Sequence, residues 1–290
     1  MFKSIAFIVG FTGLPNFIRR NIKREIPYRF RSYSNYAMWE HNHGKNLCHH
    51  LEKIHFESGE FRLDIGCGFG GGTVAQAEAN KDTFVIGLDI NADYLKIAKE
   101  LGRSLSNICF VRGDAHYLCF KNESIDSITS TSTFEHLKYP DACLKEMRRI
   151  LKNTGFVYIT FDQFWGPFGG HLRVYLPFPW VHYLPQKIIR TSFKTAPNFG
   201  WLTPEAEYEQ FLQLNRWSTS DLVSVILKSG FRILQQRENS LPFFRKFLKH
   251  FNGRLRDFSG NEYSCLLAKD QSKQLEAVLV AGRCVCMRIA

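Results

Sequence analysis

Residues 62–73 read Arg-Leu-Asp-Ile-Gly-Cys-Gly-Phe-Gly-Gly-Gly-Thr. A short apolar run, Phe61 to Ile65, ends in a glycine-rich turn, and Thr73 to Ala79 continues as a helix. Glycines at such a turn permit positive φ and let the backbone approach a ligand closely. The amides that open the following helix favour electronegative groups. A dinucleotide turn spaces its glycines GxGxxG and seats a pyrophosphate on the helix start. Here the spacing gives Gly66, Gly68, Gly70, Gly71 and Gly72, with Asp64 already inside the strand end. That early carboxylate repels a pyrophosphate and suits a cationic amino-acid moiety.

Outward from this turn, strand and helix patterns alternate. Thr83 to Ile90 is an unbroken apolar run, as in a strand buried on both faces. Ala92 to Leu101 places Leu95, Ala98 and Leu101 on one helical side. Asn107 to Arg112 and Ser124 to Ser130 read as the third and fourth strands. Asp141 to Leu151 is a helix stopped at Thr154 and Gly155, and Gly155 to Phe161 is the fifth strand. The alternation implies a parallel sheet covered on both faces. Asp89 ends the second strand, where a carboxylate can accept both ribose hydroxyls. Asp114 follows the third and can accept from the exocyclic amine of adenine. Acids at the carboxyl ends of three consecutive strands share the rim where such sheets bind ligands.

From residue 163 the pattern breaks. Gln163 to Arg216 holds six prolines and many aromatics, too long and too apolar for a plain loop, so it reads as a cap over the site. Ser218 or Thr219 caps a helix to about Lys228, closed by Gly230. Phe231 to Arg237 and Glu262 to Lys269 are a sixth and a seventh strand, with an amphipathic basic helix at Leu241 to Phe251. The expected organisation is an N-terminal segment and lid (1–58), a cofactor-binding core (59–162), the cap (163–217), completion of the core (218–270) and a tail (271–290).

The stretches 63–73, 85–99, 111–120 and 124–160 resemble the class I S-adenosylmethionine-dependent methyltransferase superfamily, near its type 11 small-molecule branch. The resemblance implies an α/β, doubly wound, seven-stranded and mostly parallel sheet of Rossmann-like form, with the cap inserted between strand 5 and the next helix. It implies S-adenosyl-L-methionine as cofactor and a small-molecule acceptor, with oxygen favoured. By resemblance Asp64, Gly66, Cys67, Gly68 and Gly70 hold the methionine part, Asp89 the ribose, Ile90 the adenine face, and Asp114 with Ala115 the adenine edge. Residues 33–45 correspond to a lid over the cofactor. Glu135-His136 resembles the Glu-His pair of many small-molecule O-methyltransferases, including the quinone-biosynthesis group. In that group a further Glu, three residues earlier, helps bind a divalent metal. Ser132 stands there in this chain, so no metal is assigned.

Methyl transfer from a sulfonium asks the protein mainly to position donor and acceptor, and at most to take a proton. Glu135, His136 and the cap residue His171 are the expected catalytic set. Gly169 and Gly170 leave room for a ligand or a tight turn, and Phe164, Trp165, Phe168, Tyr175 and Trp180 are candidates to line an apolar acceptor pocket or to build the core of the cap. The cluster His41, His43, His49, His50 and His55 lacks a supporting Cys pair for a metal site.

Bulk properties bound the rest. The chain has 290 residues, 44 % hydrophobic and 22 % charged, which excludes general disorder. Its net charge of +11, concentrated at Arg19 to Arg31 and Arg245 to Arg256, keeps RNA or an anionic membrane open as partner, although no RNA-binding module is recognisable. Eight cysteines without a CxxC pair read as buried free thiols of a reducing, cytoplasmic compartment. Ser4 to Ile18 is apolar but shorter than the roughly 20 residues of a spanning helix, which leaves peripheral membrane contact open. Alternatives to a small-molecule enzyme are an RNA methyltransferase, a non-catalytic cofactor-binding scaffold and a nicotinamide-dependent oxidoreductase.

Overall fold

A computed structural model describes residues 32–52, 61–172, 176, 180–194, 196, 202–240 and 260–270. The apolar N-terminal stretch, the basic stretches at 19–31 and 245–256, His55, Tyr175, the expected helix at 241–251 and the tail lie outside the described residues.

The predicted alternation is present. Helix α1 (Tyr33–Glu52) precedes β1 (Phe61–Ile65), α2 (Gly71–Ala79), β2 (Phe84–Asp89), α3 (Ala92–Leu101), β3 (Ile108–Arg112), β4 (Ile125–Ser130), α4 (Pro140–Ile150) and β5 (Leu151–Asp162). The cap contributes α5 (Gln186–Lys194) and α6 (Pro204–Gln213); α7 (Thr219–Lys228), β6 (Phe231–Ser240) and β7 (Gly260–Lys269) complete the core. The sheet order is β3-β2-β1-β4-β5-β7-β6. Strands β1 to β5 pair in parallel, and β7 lies between β5 and β6, antiparallel to both. The order reverses between β1 and β4, so a crevice opens at their carboxyl ends.

Local chemistry explains the element boundaries. Asn91 accepts hydrogen bonds from the amides of Asp93 and Tyr94 and so starts α3. Ser218 and Asp221 form a reciprocal capping box on α7. Gly155 differs from the expected helix stop. Helix α4 passes directly into β5 at Leu151, and pairing with β4 jumps from Ile125–Leu151 to Ser127–Phe156. The surplus residues bulge out, and Gly155 sits where a Cβ would meet the Asp126 carbonyl oxygen.

The main core packs Leu63, Ile65 and Ile128 of the sheet against Leu144, Met147 and Ile226 of the helices. A second core lies within the cap and includes Phe164, Ile189, Phe193, Phe211 and Leu214. Phe164 is therefore cap core. Among the thiols, Cys48, Cys67, Cys143 and Cys265 are buried, but Cys109 is only half-buried and Cys119 is exposed, against the expected burial. No helix of the described residues is long and apolar enough to cross a membrane.

Helix α1 docks on α2 through glycine. A Cβ on Gly71 would overlap the Ala37 carbonyl oxygen, and one on Gly44 would press on Ala75 and Gly72. Gly71→Ala should therefore cost about 1–3 kcal/mol through overpacking. Denaturant unfolding checks this, with an unchanged midpoint as the contrary result.

Candidate functional site

At the switch point lies a cavity of about 1120 Å³. It is lined by Asp64, Gly66, Cys67, Gly68, Asp89, Ile90, Asp114 and Ala115, so eight of the nine expected cofactor positions share one wall. Gly70 is the exception. It takes φ of 81° ahead of α2, and a Cβ there would meet Ala98 and Phe110, so it serves the packing of α3 and β3 on the turn.

The turn is pinned from below. The amides of Gly66 and Cys67 donate to the Leu88 carbonyl, at 2.8 and 3.1 Å. Asp64 is buried, and its two carboxylate oxygens accept from the hydroxyls of Thr73 at 2.7 Å and Thr129 at 2.9 Å. Asp89 accepts from the Gly68 amide at 2.9 Å and the Asn91 amide at 2.8 Å. Each ionised oxygen keeps a further lone pair for a ligand. Asp114 is more exposed and accepts from the amide and ring of His116. The His116 amide is the main reason its carboxyl lies below the usual range. Ile90, 63 % exposed, offers an apolar surface at the cavity edge.

One wall residue escaped the sequence reading. Glu40 on α1 accepts from the Gly71 amide at 3.3 Å, and its carboxylate faces Gly68. The lid assigned to residues 33–45 thus brings a carboxylate of its own. Burial, together with repulsion from Asp64 and Asp89, raises the Glu40 pKa well above its usual value. Asp64 and Asp89 are raised by burial as well, and Asp64 further by Asp89. Burial, followed by these acids, also pushes the Cys67 thiol up. Three carboxylates around one glycine turn form a hole for positive charge.

His136 and His171 line the far end of the cavity. Glu135, buried behind that wall, shares a 3-10 turn after β4 with His136, and His171 reaches them from the cap. The His136 and His171 rings are 5.2 Å apart. His171 Nε2 is 3.9 Å from Glu135 Oε1 and 3.2 Å from Asp162 Oδ2. Asn215 clasps the turn: its side-chain amide donates to the Phe134 and Leu137 carbonyls, and its backbone amide to the Glu135 carbonyl. Burial, then the neighbouring Asp162, holds the Glu135 pKa well above normal. Burial, then His171, lowers His136 to about 3, so that imidazole is neutral at pH 7. Ser132 and His171 both take positive φ, at 48° and 55°, backbone conformations that need support from their surroundings. Asp162 was missed as a site residue although the rule that selects Asp64, Asp89 and Asp114, an acid closing a parallel strand, selects it too.

Other expectations resolve differently. Of the cap aromatics considered for lining, Phe168 faces the cavity, while Trp165 packs on the cap core and donates to the Arg216 carbonyl. Trp180 does not line the cavity. Gly169 and Gly170 press against the Gln163 carbonyl and His182, which makes them a tight turn and leaves no ligand space there. His41 pairs with Glu78, and His43 with the Trp39 carbonyl, so they do not converge.

Residues 63–159 match the family profile described as "Methyltransferase domain". The chain is 33 % identical over 110 residues to a demethylmenaquinone methyltransferase of Staphylococcus haemolyticus, a match covering 38 % of this chain and 46 % of that one. It therefore spans about half the length of the curated relatives it matches. Among solved structures, a geranyl diphosphate methyltransferase aligns with a TM-score of 0.53 at 13 % identity, over 79 % of this chain and 85 % of that one. The [4+2]-cyclase SpnF aligns with a TM-score of 0.53 at 17 % identity, over 78 % and 81 %. Residues 63–159 thus match a methyltransferase domain, and the sheet around the glycine turn has the fold of these solved structures. A cyclase on the same fold shows that architecture alone does not settle the reaction.

The Glu40 geometry carries a pH prediction. A carboxylate raised by burial gives full stability below its unfolded pKa, near the ordinary value of 4.5, and loses it as pH rises through the folded value. Glu40→Gln should therefore stabilise the ligand-free protein at pH 7 to 8, and the gain should vanish as pH falls toward that lower value. Thermal unfolding across this range checks the sign; a gain independent of pH would contradict it.

Proposed function

We propose that the protein is an S-adenosylmethionine-dependent methyltransferase acting on a small molecule, with an oxygen as methyl acceptor. The observation that carries this reading is one cavity that joins the three-carboxylate cradle to His136, His171 and Asp162, with Glu135 buried behind that end. The cradle fits the cofactor because three buried carboxylates share one wall with Arg62 as the cation acting on Asp64, and the cofactor brings both an ammonium and a sulfonium.

In this reading Asp64, Gly66, Cys67 and Gly68 hold the methionine part, with Glu40 closing over it. Asp89 accepts the ribose hydroxyls, Ile90 covers the adenine face, and Asp114 with Ala115 meets its edge. The cofactor, when bound, supplies an electrophilic methyl carbon on a sulfonium, which passes to the acceptor as the carbon–sulfur bond breaks. Glu135, His136 and His171 hold the acceptor oxygen at the opposite end. Asp162, 3.2 Å from His171 and partly open to solvent, is placed to receive its proton. Burial of this end excludes water, which competes as an acceptor.

The similarity to the demethylmenaquinone methyltransferases of Staphylococcus supports a quinone-like, largely apolar acceptor, with lipid-like and sugar-linked molecules as the neighbouring classes. Phe168, Leu202 and Leu137 give the cavity apolar surface of the right kind. A cytoplasmic setting, with peripheral membrane contact for an apolar acceptor, belongs to the same proposal, as does the division into lid, core and cap.

Incubation of cell extract with the protein and methyl-labelled S-adenosylmethionine should yield a labelled small molecule. Label confined to RNA, or no label at all, would contradict the reading. Asp89→Ala should weaken S-adenosylhomocysteine binding about 10- to 100-fold, the worth of its charged hydrogen bonds. Unchanged affinity in titration calorimetry would remove Asp89 from the site.

A further inference from the structure

Glu135, His136 and His171 bring one carboxylate oxygen and two imidazole nitrogens within 4.8 Å of one another. Glu135 is 1 % exposed, and neither of its carboxylate oxygens has a hydrogen-bond partner. The Nε2 of His171 is buried, makes no well-aligned hydrogen bond and stands 3.2 Å from Asp162 Oδ2. Among the described residues no lysine or arginine forms an ion pair with Glu135; the group within 4 Å is His171. A carboxylate this deep demands compensation. A proton on Glu135 supplies one donor, but the nearest ring nitrogen, at 3.9 Å, is too far to accept it. The second oxygen would still lack a partner. A single cation satisfies both oxygens together.

We infer that Glu135, His136 and His171 form a binding site for one divalent transition-metal ion, with its open coordination positions facing the cavity. Two imidazoles and one carboxylate select zinc, iron, cobalt or manganese over magnesium or calcium. Bonds of about 2.1 Å separate ligand atoms by roughly 3–4 Å, so the three side chains close by about an ångström on loading. Asp162 Oδ2, 3.2 Å from His171 Nε2, stands beside the site as a further oxygen ligand or as the partner that orients the ring. His171 comes from the cap, and its left-handed backbone at φ 55° turns the ring into the cavity. The site is thus assembled only when the cap packs on the core, which is why spacing along the chain does not reveal it. An ion there would hold the acceptor oxygen through an open position. That use rests on the methyl-transfer reading; the binding itself does not.

The test is titration of the full-length, chelator-treated protein with Zn²⁺ by calorimetry, and with Co²⁺ by visible absorption. One equivalent should bind, with cobalt giving d–d bands of a nitrogen- and oxygen-ligated ion. His171→Ala and Glu135→Gln should each weaken Zn²⁺ binding at least tenfold, on the order of what losing a ligand's support costs a metal site. The double variant His41→Ala, His43→Ala should bind like the parent, which separates the site from surface histidines. His171→Asn, folded by circular dichroism, guards against collapse of the other variants. Absence of stoichiometric binding, or binding that survives His171→Ala and His171→Asn, overturns the inference. S-adenosylhomocysteine affinity of the metal-free protein is measured alongside. Its loss would count against the cofactor reading and leave the metal result standing, and the converse holds.

Discussion

The structure turns on three carboxylates buried around one glycine turn. Glu40, Asp64 and Asp89 converge there, and each is raised in pKa mainly because burial strips water from its charged form; Arg62 offsets this in part at Asp64. A positively charged ligand would relieve the remaining cost, whereas a pyrophosphate would add to it. The rest of the site follows from it. The turn must be thin enough for α1 to bring Glu40 down on it, which demands Gly71 beneath Ala37, and firm enough to hold three like charges, which the threonine, amide and carbonyl bonds accomplish.

The same logic recurs at the opposite end of the cavity with different chemistry. Glu135 is again a buried carboxylate, but its neighbours are two imidazoles and a second acid. A hard ammonium has no advantage among imidazole nitrogens, whereas a transition-metal ion does. One cavity thus presents two cation-seeking ends, one suited to an organic cation and the other to a metal. The two ends belong to different parts of the chain. The first is built by the sheet and α1, the second by the junction of sheet and cap.

This division explains what could be read from the sequence. The parallel core was legible because apolar strand runs such as 83–90 alternate with helices that carry a 3.6-residue stripe, such as 92–101. Asp64, Asp89 and Asp114 were legible because an acid closing a buried strand has few structural reasons to be there. Asp162 obeys the same rule but was hidden by the start of the irregular cap directly after it. Glu40 lies on a polar helix crowded with histidines and nothing in its spacing marks it as buried. The bulge at Gly155 mimicked a helix stop, because a glycine after a helix serves a left-handed cap and a close approach equally well. The aromatics of the cap could not be divided between core and cavity by composition, since both uses want the same residues. His171 was singled out from its glycine-rich neighbourhood, but its convergence on Glu135 depends on cap packing that no local pattern encodes.

The account stands on the claim that the cavity reads a sulfonium nucleoside and not a dinucleotide. Titration calorimetry of the purified full-length protein with S-adenosylmethionine, and separately with NAD, tests it most directly. Saturable binding of one equivalent of S-adenosylmethionine is expected, with no measurable heat from NAD at the same concentration. Preferential binding of NAD, or failure of S-adenosylmethionine to bind, would contradict it.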